Sequence, residues 1–281
     1  MIVHRIAAFT NGAQGGNPAG VALCEALPDA GTMQALAAEV GYSETAFAAP
    51  VENGWRVRYF APQVEVDFCG HATIALGAAL AQREGSGTFV LQLNRTQITV
   101  DGDQSAAGWR ASFRSPKTHS REVPAAVVEE ALAVFGLTHG ELDSRIPPRI
   151  AHAGADHLIL ALRDRHALGA MRYEFEPGGD LARREGIVTF SLLHAETPQL
   201  FHARNPFPIG GVYEDPATGA AAAALGGYLR DLAWPHQNSI VIQQGEDMGI
   251  PCRLDVDITE QPGAPVKVSG TVRAIQAAAA P

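Results

Sequence analysis

The sequence predicts an α+β fold of two similar halves, each a curled, mostly antiparallel sheet around one buried helix. Three observations predict it. The chain has 281 residues, which suits two packed domains better than one core. Both halves show the same order of strands, a polar-tipped turn, a helix of small residues and further strands. Neither of the two helices carries a charge in its central part, and a helix that is apolar all round is buried.

In the first half, strand-like alternation and turn residues fix the elements in order. Asp29 is a candidate N-cap for a helix that Gly41 ends near Val40. Trp55, Val57 and Tyr59 alternate with arginines, as in a half-buried strand. We expect a Gly-rich loop over 10–20, a helix over 72–83, and strands over 2–9, 21–24, 44–49, 55–60, 88–93, 97–101 and 109–114.

The second half begins after a polar segment, 115–124, that prolines bracket and that we interpret as a linker. Gly136 is expected to end a helix over 127–135, and a second, short helix lies near Leu181. A third helix follows the turn 214–219 and runs to about Arg230. We expect strands over 149–153, 157–162, 187–193, 201–204, 239–244, 253–258 and 266–275.

Composition excludes several classes of protein. The formal net charge is -9 and no run of Lys or Arg occurs, which argues against a nucleic-acid-binding protein. No signal peptide or membrane-spanning stretch is apparent, so we expect a cytoplasmic protein that does not bind membranes. Three widely spaced cysteines predict no disulfide framework. No metal-binding or nucleotide-binding motif is present, so we expect neither a metal nor another cofactor.

The starts of the two apolar helices are the candidate binding sites. A buried helix leaves backbone N–H groups unpaired at its start, and these favour an anion such as a substrate carboxylate. Gly70-His71 precedes one helix, and Asp215 with Thr218-Gly219 precedes the other. The alternative interpretation is that Asp215 and Thr218 simply cap their helix. Two such units at matching places favour a shared binding site.

Five segments now carry a resemblance that covers nearly the whole chain. They resemble, in order, segments of the PhzF-like phenazine biosynthesis isomerase family, which shares the diaminopimelate epimerase-like fold of proline racemase. The resemblance implies two pseudo-symmetric domains, 1–116 plus about 268–281 and 117–267, and a homodimer. The segments are Gly15-Gly16-Asn17-Pro18-Ala19-Gly20, Ser43-Glu44-Thr45-Ala46-Phe47, Cys69-Gly70-His71-Ala72-Thr73, Glu214-Asp215-Pro216-Ala217-Thr218-Gly219 and Gln244-Gly245-Glu246.

The resemblance also implies roles for individual residues. Glu44 matches the proton-transferring acid/base, His71 the motif histidine, and Asp215 a residue that binds a substrate amine or hydroxyl or holds His71. We therefore expect a cofactor-independent isomerase or epimerase acting on a small amino- or hydroxy-carboxylate, with these three residues around one cleft. The expected substrate-binding residues are Asn17, Cys69, Gly70, Thr218, Gly219 and Ala220.

Two departures from the family pattern keep other functions open. Cys69 lies where related racemases carry one catalytic cysteine, but Asp215-Pro216 occupies the region of the second. Ala220 replaces a family serine. The alternatives are a cysteine-dependent dehydratase or epimerase acting next to a carboxylate, and a non-enzymatic protein that binds a metabolite or a partner protein. Cys69 can also be a buried small residue without a chemical role.

Overall fold

A computed structural model describes residues 1–276 and shows a sheet-dominated α+β protein. The chain divides into two compact units. Unit 1 contains residues 1–114 and the segment from Ser269 onward, and unit 2 contains Ser115–Val268. The tail 277–281 of the predicted first domain lies outside the described residues. No helix within residues 1–276 is long and apolar enough to span a membrane.

The secondary structure is numbered in chain order. The α-helices are α1 (Ala30–Val40), α2 (Gly70–Glu84), α3 (Ala125–Phe135), α4 (Arg165–Gly169), α5 (Phe175–Glu185) and α6 (Gly219–Asp231). The strands are β1 (His4–Thr10), β2 (Asn17–Leu23), β3 (Thr45–Val51), β4 (Gly54–Phe60), β5 (Glu65–Val66), β6 (Gly87–Gln92), β7 (Gln97–Ser105), β8 (Gly108–Arg114), β9 (His119–Glu122), β10 (Arg149–His152), β11 (Asp156–Ala161), β12 (Thr189–Ala195), β13 (Leu200–Phe207), β14 (Val212–Asp215), β15 (Ser239–Gln244), β16 (Cys252–Asp257) and β17 (Lys267–Ala274).

In unit 1 the strands close into a barrel around α2. Strand β1 pairs antiparallel with β2 and with β17, β2 runs parallel to β3, and β3 is antiparallel to β4. The ring continues from β4 through β6 and β7 to β8, which pairs with β17. Closure leaves no free edge between these strands, and it encloses the helix on the inside.

The sequence of α2 explains how a helix fits inside this barrel. Its residues from His71 to Ala81 are all buried. A Cβ atom at Gly102 of β7 would lie 2.4 Å from the carbonyl oxygen of Gly77, and one at Gly77 would lie 2.4 Å from a methyl group of Val100. Side chains at these positions would force the helix and the strand apart. The two glycines therefore set how closely α2 approaches the barrel wall.

Unit 2 wraps a curled sheet around α6. The order β9, β10, β11, β12, β13, β15 and β16 mixes antiparallel pairs with two parallel pairs, β11–β12 and β13–β15. A Cβ atom at Gly227 of α6 would lie 2.5 Å from Cβ of Thr118, so this helix also needs a residue without a Cβ atom here. The buried Arg230 at its end donates to Thr118 Oγ1 and to the carbonyl oxygen of Ala264.

Further helices form separate apolar layers with the sheets. In unit 2, α3 and α5 pack with strands β10 to β12 in a core that includes Val127, Phe135, Leu181 and Phe190. In unit 1, Met33 and Ala37 of α1 pack against Phe47 and Phe60. Asp29 caps α1 by accepting a hydrogen bond from the backbone of Thr32, and Gly41 ends the helix in the left-handed conformation, as predicted.

Several predicted boundaries are wrong. The predicted linker 115–124 contains β9, whose polar side chains sit on a strand that pairs with β10. Strand β2 begins at Asn17, inside the predicted Gly-rich loop, because it pairs with β1 from there on. Strand β13 continues to Phe207, through Pro206, which lies beside a bulge where the ladder is already irregular. The short helix α4 was not predicted.

Candidate active site

The first group of candidate residues lies at the start of α2 in unit 1. Ser43 and Glu44 directly precede β3, Cys69 is the N-cap residue of α2, and His71 lies in its first turn. Ligand atoms of Glu44, Cys69 and His71 all lie within 4.8 Å of one another. The structure therefore brings together three residues that are up to 27 positions apart in the sequence. Their roles as catalytic or substrate-binding residues stay predictions.

The imidazole of His71 has a different neighbour at each ring nitrogen. Its Nε2 lies 3.5 Å from Oε2 of Glu44 and 3.3 Å from Oγ of Ser43. Its Nδ1 lies 3.3 Å from Sγ of Cys69. A neutral imidazole donates from one nitrogen and accepts at the other, so this ring can link the carboxylate to the thiol. The side chain of His71 is 6% exposed and that of Glu44 is 18% exposed. The carboxylate is thus the more accessible of the two.

A second layer of buried polar groups fixes the turn that carries Cys69. The carbonyl oxygen of Cys69 accepts hydrogen bonds from N and Oγ1 of Thr73, at 3.0 and 2.7 Å. The hydroxyl of Tyr59 lies 2.7 Å from the same Oγ1. Burial raises the pKa of Tyr59 well above its ordinary value, so the phenol stays protonated. Sequence analysis included Thr73 in a motif without giving it a role, and it missed Tyr59, since only the fold brings β4 against the first turn of α2.

The first turn of α2 is suited to an anion. The first intrahelical bond of this turn is the one from Thr73 N to Cys69 O. The N–H groups of Gly70, His71 and Ala72 precede it, and they have no acceptor within a regular helix. The side chain of Cys69 makes no capping bond. Asn17, another of the expected substrate-binding residues, is buried at the first position of β2, opposite Ala8 of β1.

The second group of candidate residues lies at the start of α6 in unit 2. Thr218 is the N-cap residue, yet its side chain makes no capping bond. Its hydroxyl instead donates to Oδ2 of Asp215 at 2.6 Å. The capping interpretation is therefore wrong for Thr218, and the turn is held by side chains. The first-turn residues Gly219 and Ala220 follow directly.

Gln244, at the end of β15, connects this turn to the sheet. Its Oε1 accepts from the backbone N–H of Thr218 at 3.2 Å. Its Nε2 donates to the carbonyl oxygen of Asp215 at 2.7 Å and to Oγ1 of Thr218 at 3.1 Å. The next residue, Gly245, has a positive φ, and a Cβ atom there would lie 2.9 Å from the carbonyl oxygen of Pro216. The resemblance included the Gln244-Gly245 segment, but the sequence did not show that Gln244 supports the turn before α6.

A buried ion pair anchors the strand that leads to Asp215. Arg204 of β13 contacts Glu214 of β14 through two hydrogen bonds, and both side chains are less than 10% exposed. A further nitrogen of Arg204 donates to the carbonyl oxygens of Gly169 and Met171. The guanidinium thus has hydrogen-bond acceptors on several sides, and it fixes the position of Glu214, the residue next to Asp215.

Comparisons with known proteins agree with this architecture. The family model of the phenazine biosynthesis-like proteins matches residues 6–278. An uncharacterized isomerase of Deinococcus radiodurans is 33% identical over 262 residues, which cover 90% of this chain and 85% of the relative. An uncharacterized isomerase of Bacillus subtilis is 28% identical, over 97% of this chain and 95% of the relative.

Solved structures show the same fold. A PhzF-family phenazine biosynthesis protein of Bacillus anthracis superposes with a TM-score of 0.86 at 22% identity, covering 98% of this chain and 96% of that one. A probable proline racemase of Agrobacterium radiobacter superposes with a TM-score of 0.64 at 9% identity, over 98% and 92% of the two chains. The family model and the sequence relatives together establish that this chain belongs to the phenazine biosynthesis-like protein family of PhzF-like isomerases and epimerases.

Proposed function

We propose that the protein is a cofactor-independent isomerase that moves a proton on a small amino- or hydroxy-carboxylate. The observation that carries this proposal is the contact between Glu44 and His71 at the start of α2, with the carboxylate as the more accessible partner. A carboxylate beside a buried imidazole can accept a proton and return it. The family membership supports the same class of reaction.

In the proposed mechanism, the substrate carboxylate binds the N–H groups of the first turn of α2. Glu44 removes a proton from a carbon next to that carboxylate and returns it at another carbon or on the opposite face. The negative charge that develops in between spreads into the bound carboxylate, where the backbone N–H groups stabilise it. His71 orients Glu44 or relays the proton. Asp215, held by Thr218, is proposed to bind the substrate amine or hydroxyl.

One observation favours a second candidate function, a cysteine-dependent epimerase or dehydratase. The thiol of Cys69 lies 3.3 Å from Nδ1 of His71, while Glu44 faces the other ring nitrogen. This order of carboxylate, imidazole and thiol can transfer the thiol proton to the ring and leave a thiolate as the base. The two proposals differ in which of the two residues exchanges a proton with the substrate.

Exchange in heavy water separates the two. Small amino- and hydroxy-carboxylates would be incubated with the protein in heavy water and followed by NMR. The panel includes trans-4-hydroxy-L-proline, the molecule bound to a hydroxyproline epimerase of the same fold. We expect Glu44→Gln to lower exchange by about 10²- to 10⁴-fold, with binding retained. The matched control is Glu39→Gln, on the exposed side of α1, which leaves exchange unchanged.

A variant of Cys69 completes the test. Cys69→Ala has a mild effect if Glu44 is the base, and it abolishes exchange if Cys69 is. Full exchange by Glu44→Gln together with loss in Cys69→Ala would reverse the assignment. Binding of a compound by the wild-type protein without exchange of any proton would support the third hypothesis, a metabolite-binding protein.

The proposal includes two expectations from the sequence. No metal or nucleotide is required, so exchange persists after exhaustive dialysis against a chelator. The active protein is a homodimer.

A further inference from the structure

The cluster of Glu44, Cys69 and His71 combines three kinds of metal ligand in one place. A thiol, an imidazole and a carboxylate lie within 4.8 Å of one another. Cys69 and His71 are buried, and Glu44 is half-buried. Zinc and related ions bind this mixture of sulfur, nitrogen and oxygen ligands, commonly with four ligands in a tetrahedron.

Two of the three separations between the ligand atoms are close to those around one such ion. Bond lengths of about 2.3 Å to sulfur and about 2.0 Å to nitrogen and oxygen place tetrahedral ligand atoms roughly 3.3 to 3.6 Å apart. Nε2 of His71 lies 4.0 Å from Sγ of Cys69 and 3.5 Å from Oε2 of Glu44. Both separations exceed the tetrahedral values by only a few tenths of an ångström. The thiol lies nearer Nδ1 of His71, at 3.3 Å, and the thiol and the carboxylate lie within 4.8 Å of each other. To bind an ion, the imidazole must therefore turn so that one nitrogen faces both groups, and the side chains of Cys69 and Glu44 must close on it.

A second cluster with metal-ligand residue types, in unit 2, fits less well. His119 and His152 stack face to face with ring centroids 4.5 Å apart, on paired strands. Stacked rings do not both direct a nitrogen at one ion. Asp156 is already engaged by His152 at 2.6 Å and by Arg121 at 3.1 Å, and the arginine repels a cation. This cluster has no thiol, which makes it a useful internal control.

We propose that Glu44, Cys69 and His71 reversibly bind one soft divalent cation of the zinc type, with the fourth position open to water or a small anion. Binding exchanges the thiol proton of Cys69 for the metal, so one proton passes to the solvent. The hydrogen bonds from Thr73 hold the backbone of Cys69 and limit the rearrangement that binding requires. Because the ion occupies the proposed acid/base groups, it inhibits rather than assists proton transfer.

The test is a titration of the chelator-stripped protein with Co²⁺, followed by displacement with Zn²⁺. We expect one ion per chain and a thiolate-to-cobalt charge-transfer absorption band, which Zn²⁺ abolishes. The band disappears in Cys69→Ser, and His71→Gln weakens binding by more than roughly 10-fold. The band remains in Cys252→Ser and in His119→Ala. Thermal melts of each variant without metal identify any that fails to fold.

Two outcomes would overturn the inference. One is cobalt binding without a thiolate band, lost in His119→Ala, which would place the ion in the other cluster. The other is no binding by a folded wild-type protein at micromolar metal. Since these measurements need no substrate, they do not rest on the proposed isomerase activity. Zinc inhibition of proton exchange, reversed by chelator, is the additional result expected if both proposals hold.

Discussion

The guanidinium of Arg204 holds the carboxylate of Glu214 at two points, with Nε 2.9 Å from Oε1 and Nη2 2.5 Å from Oε2. Both side chains are buried in unit 2, and Glu214 directly precedes Asp215 in the chain. Two parallel hydrogen bonds fix the orientation of both groups, and they connect β13 to β14. Glu214 itself is not proposed to touch substrate, so its contribution is to stability and position.

Removal of one partner of this pair should be costly. We expect Glu214→Ala to lower the free energy of unfolding by about 3–5 kcal/mol, because it leaves the buried Arg204 charge unpaired. Urea denaturation measures the loss. The control is Glu130→Ala, which breaks an exposed pair with Arg184 and should cost no more than about 1 kcal/mol. A double variant, Arg204→Met with Glu214→Leu, should recover much of the loss. Equal effects of the buried and exposed variants would contradict this account.

The glycine contact between α2 and the barrel gives a second prediction. Gly102→Ala places a methyl group 2.4 Å from a backbone oxygen of α2, which cannot move independently. We expect a loss of about 1–3 kcal/mol in unfolding free energy. Gly87→Ala, also in a strand of unit 1, meets no atom within 4 Å and should be nearly neutral. Thermal denaturation of the two variants side by side checks the difference, and equal melting temperatures would refute the packing argument.

The buried His157 of β11 should make the free energy of unfolding depend on pH. Burial lowers the pKa of this imidazole to about 4, and its Nδ1 lies 2.7 Å from Oγ1 of Thr189. Between pH 6.5 and 4 the unfolded chain binds the proton and the folded one does not, so stability falls as the pH falls through this window. The contribution is of the order of 3 kcal/mol.

Substitution of this histidine tests the assignment. His157→Gln should flatten the decline in unfolding free energy between pH 6.5 and 4, whatever its effect at pH 7. His166→Gln, on an exposed position, should leave the slope unchanged. Urea denaturation at several pH values gives both slopes. An unchanged slope in His157→Gln would assign the pH dependence to other groups.

The mass of the protein in solution tests the proposed homodimer. Two aromatic side chains of unit 2, Phe175 and Phe207, are half-buried, and Phe175 packs on the core of unit 2. The more exposed apolar side chains near Phe207 are Ile209 and Val212, at 39% and 40%. Light scattering should give twice 29.6 kDa for the wild type and a smaller mass for Ile209→Glu. Val64→Glu, exposed in unit 1, is the control. A mass of 29.6 kDa for the wild-type protein would show a monomer and contradict the proposed homodimer.

Local chemistry made some elements of the fold predictable. The uncharged central parts of α2 and α6, built of small residues, predicted buried helices, and both helices are buried along most of their length. The cap Asp29 and the terminator Gly41 marked α1. Strand β9 was mistaken for a linker because its polar residues carry no apolar alternation, and only its pairing with β10 makes it a strand. The five-residue α4 was too short to show a period.

The candidate site was predictable only in part, and for a similar reason. Motif resemblance pointed to Glu44, Cys69 and His71, but spacing along the chain does not show which nitrogen of the ring faces which group. Two of the groups that support the candidate residues act through hydrogen bonds between different elements: Tyr59 contacts Thr73, which holds the backbone of Cys69, and Gln244 holds the backbone of Asp215. Such support depends on tertiary geometry, which a single sequence does not display.

The pairing of β1 with β17 bears on how the chain is made by the ribosome. The hydroxyls of Thr10 and Thr271 hydrogen-bond at 2.8 Å although they are 261 positions apart. Unit 2 is one continuous stretch, Ser115–Val268, and all of it is synthesised before β17 is complete. A nascent chain that has already produced unit 2 therefore still exposes the open edges of β1 and β8 in unit 1. Those edges can pair with other strands until Ala274 emerges, so the barrel is open to incorrect strand pairing for as long as unit 2 is being synthesised.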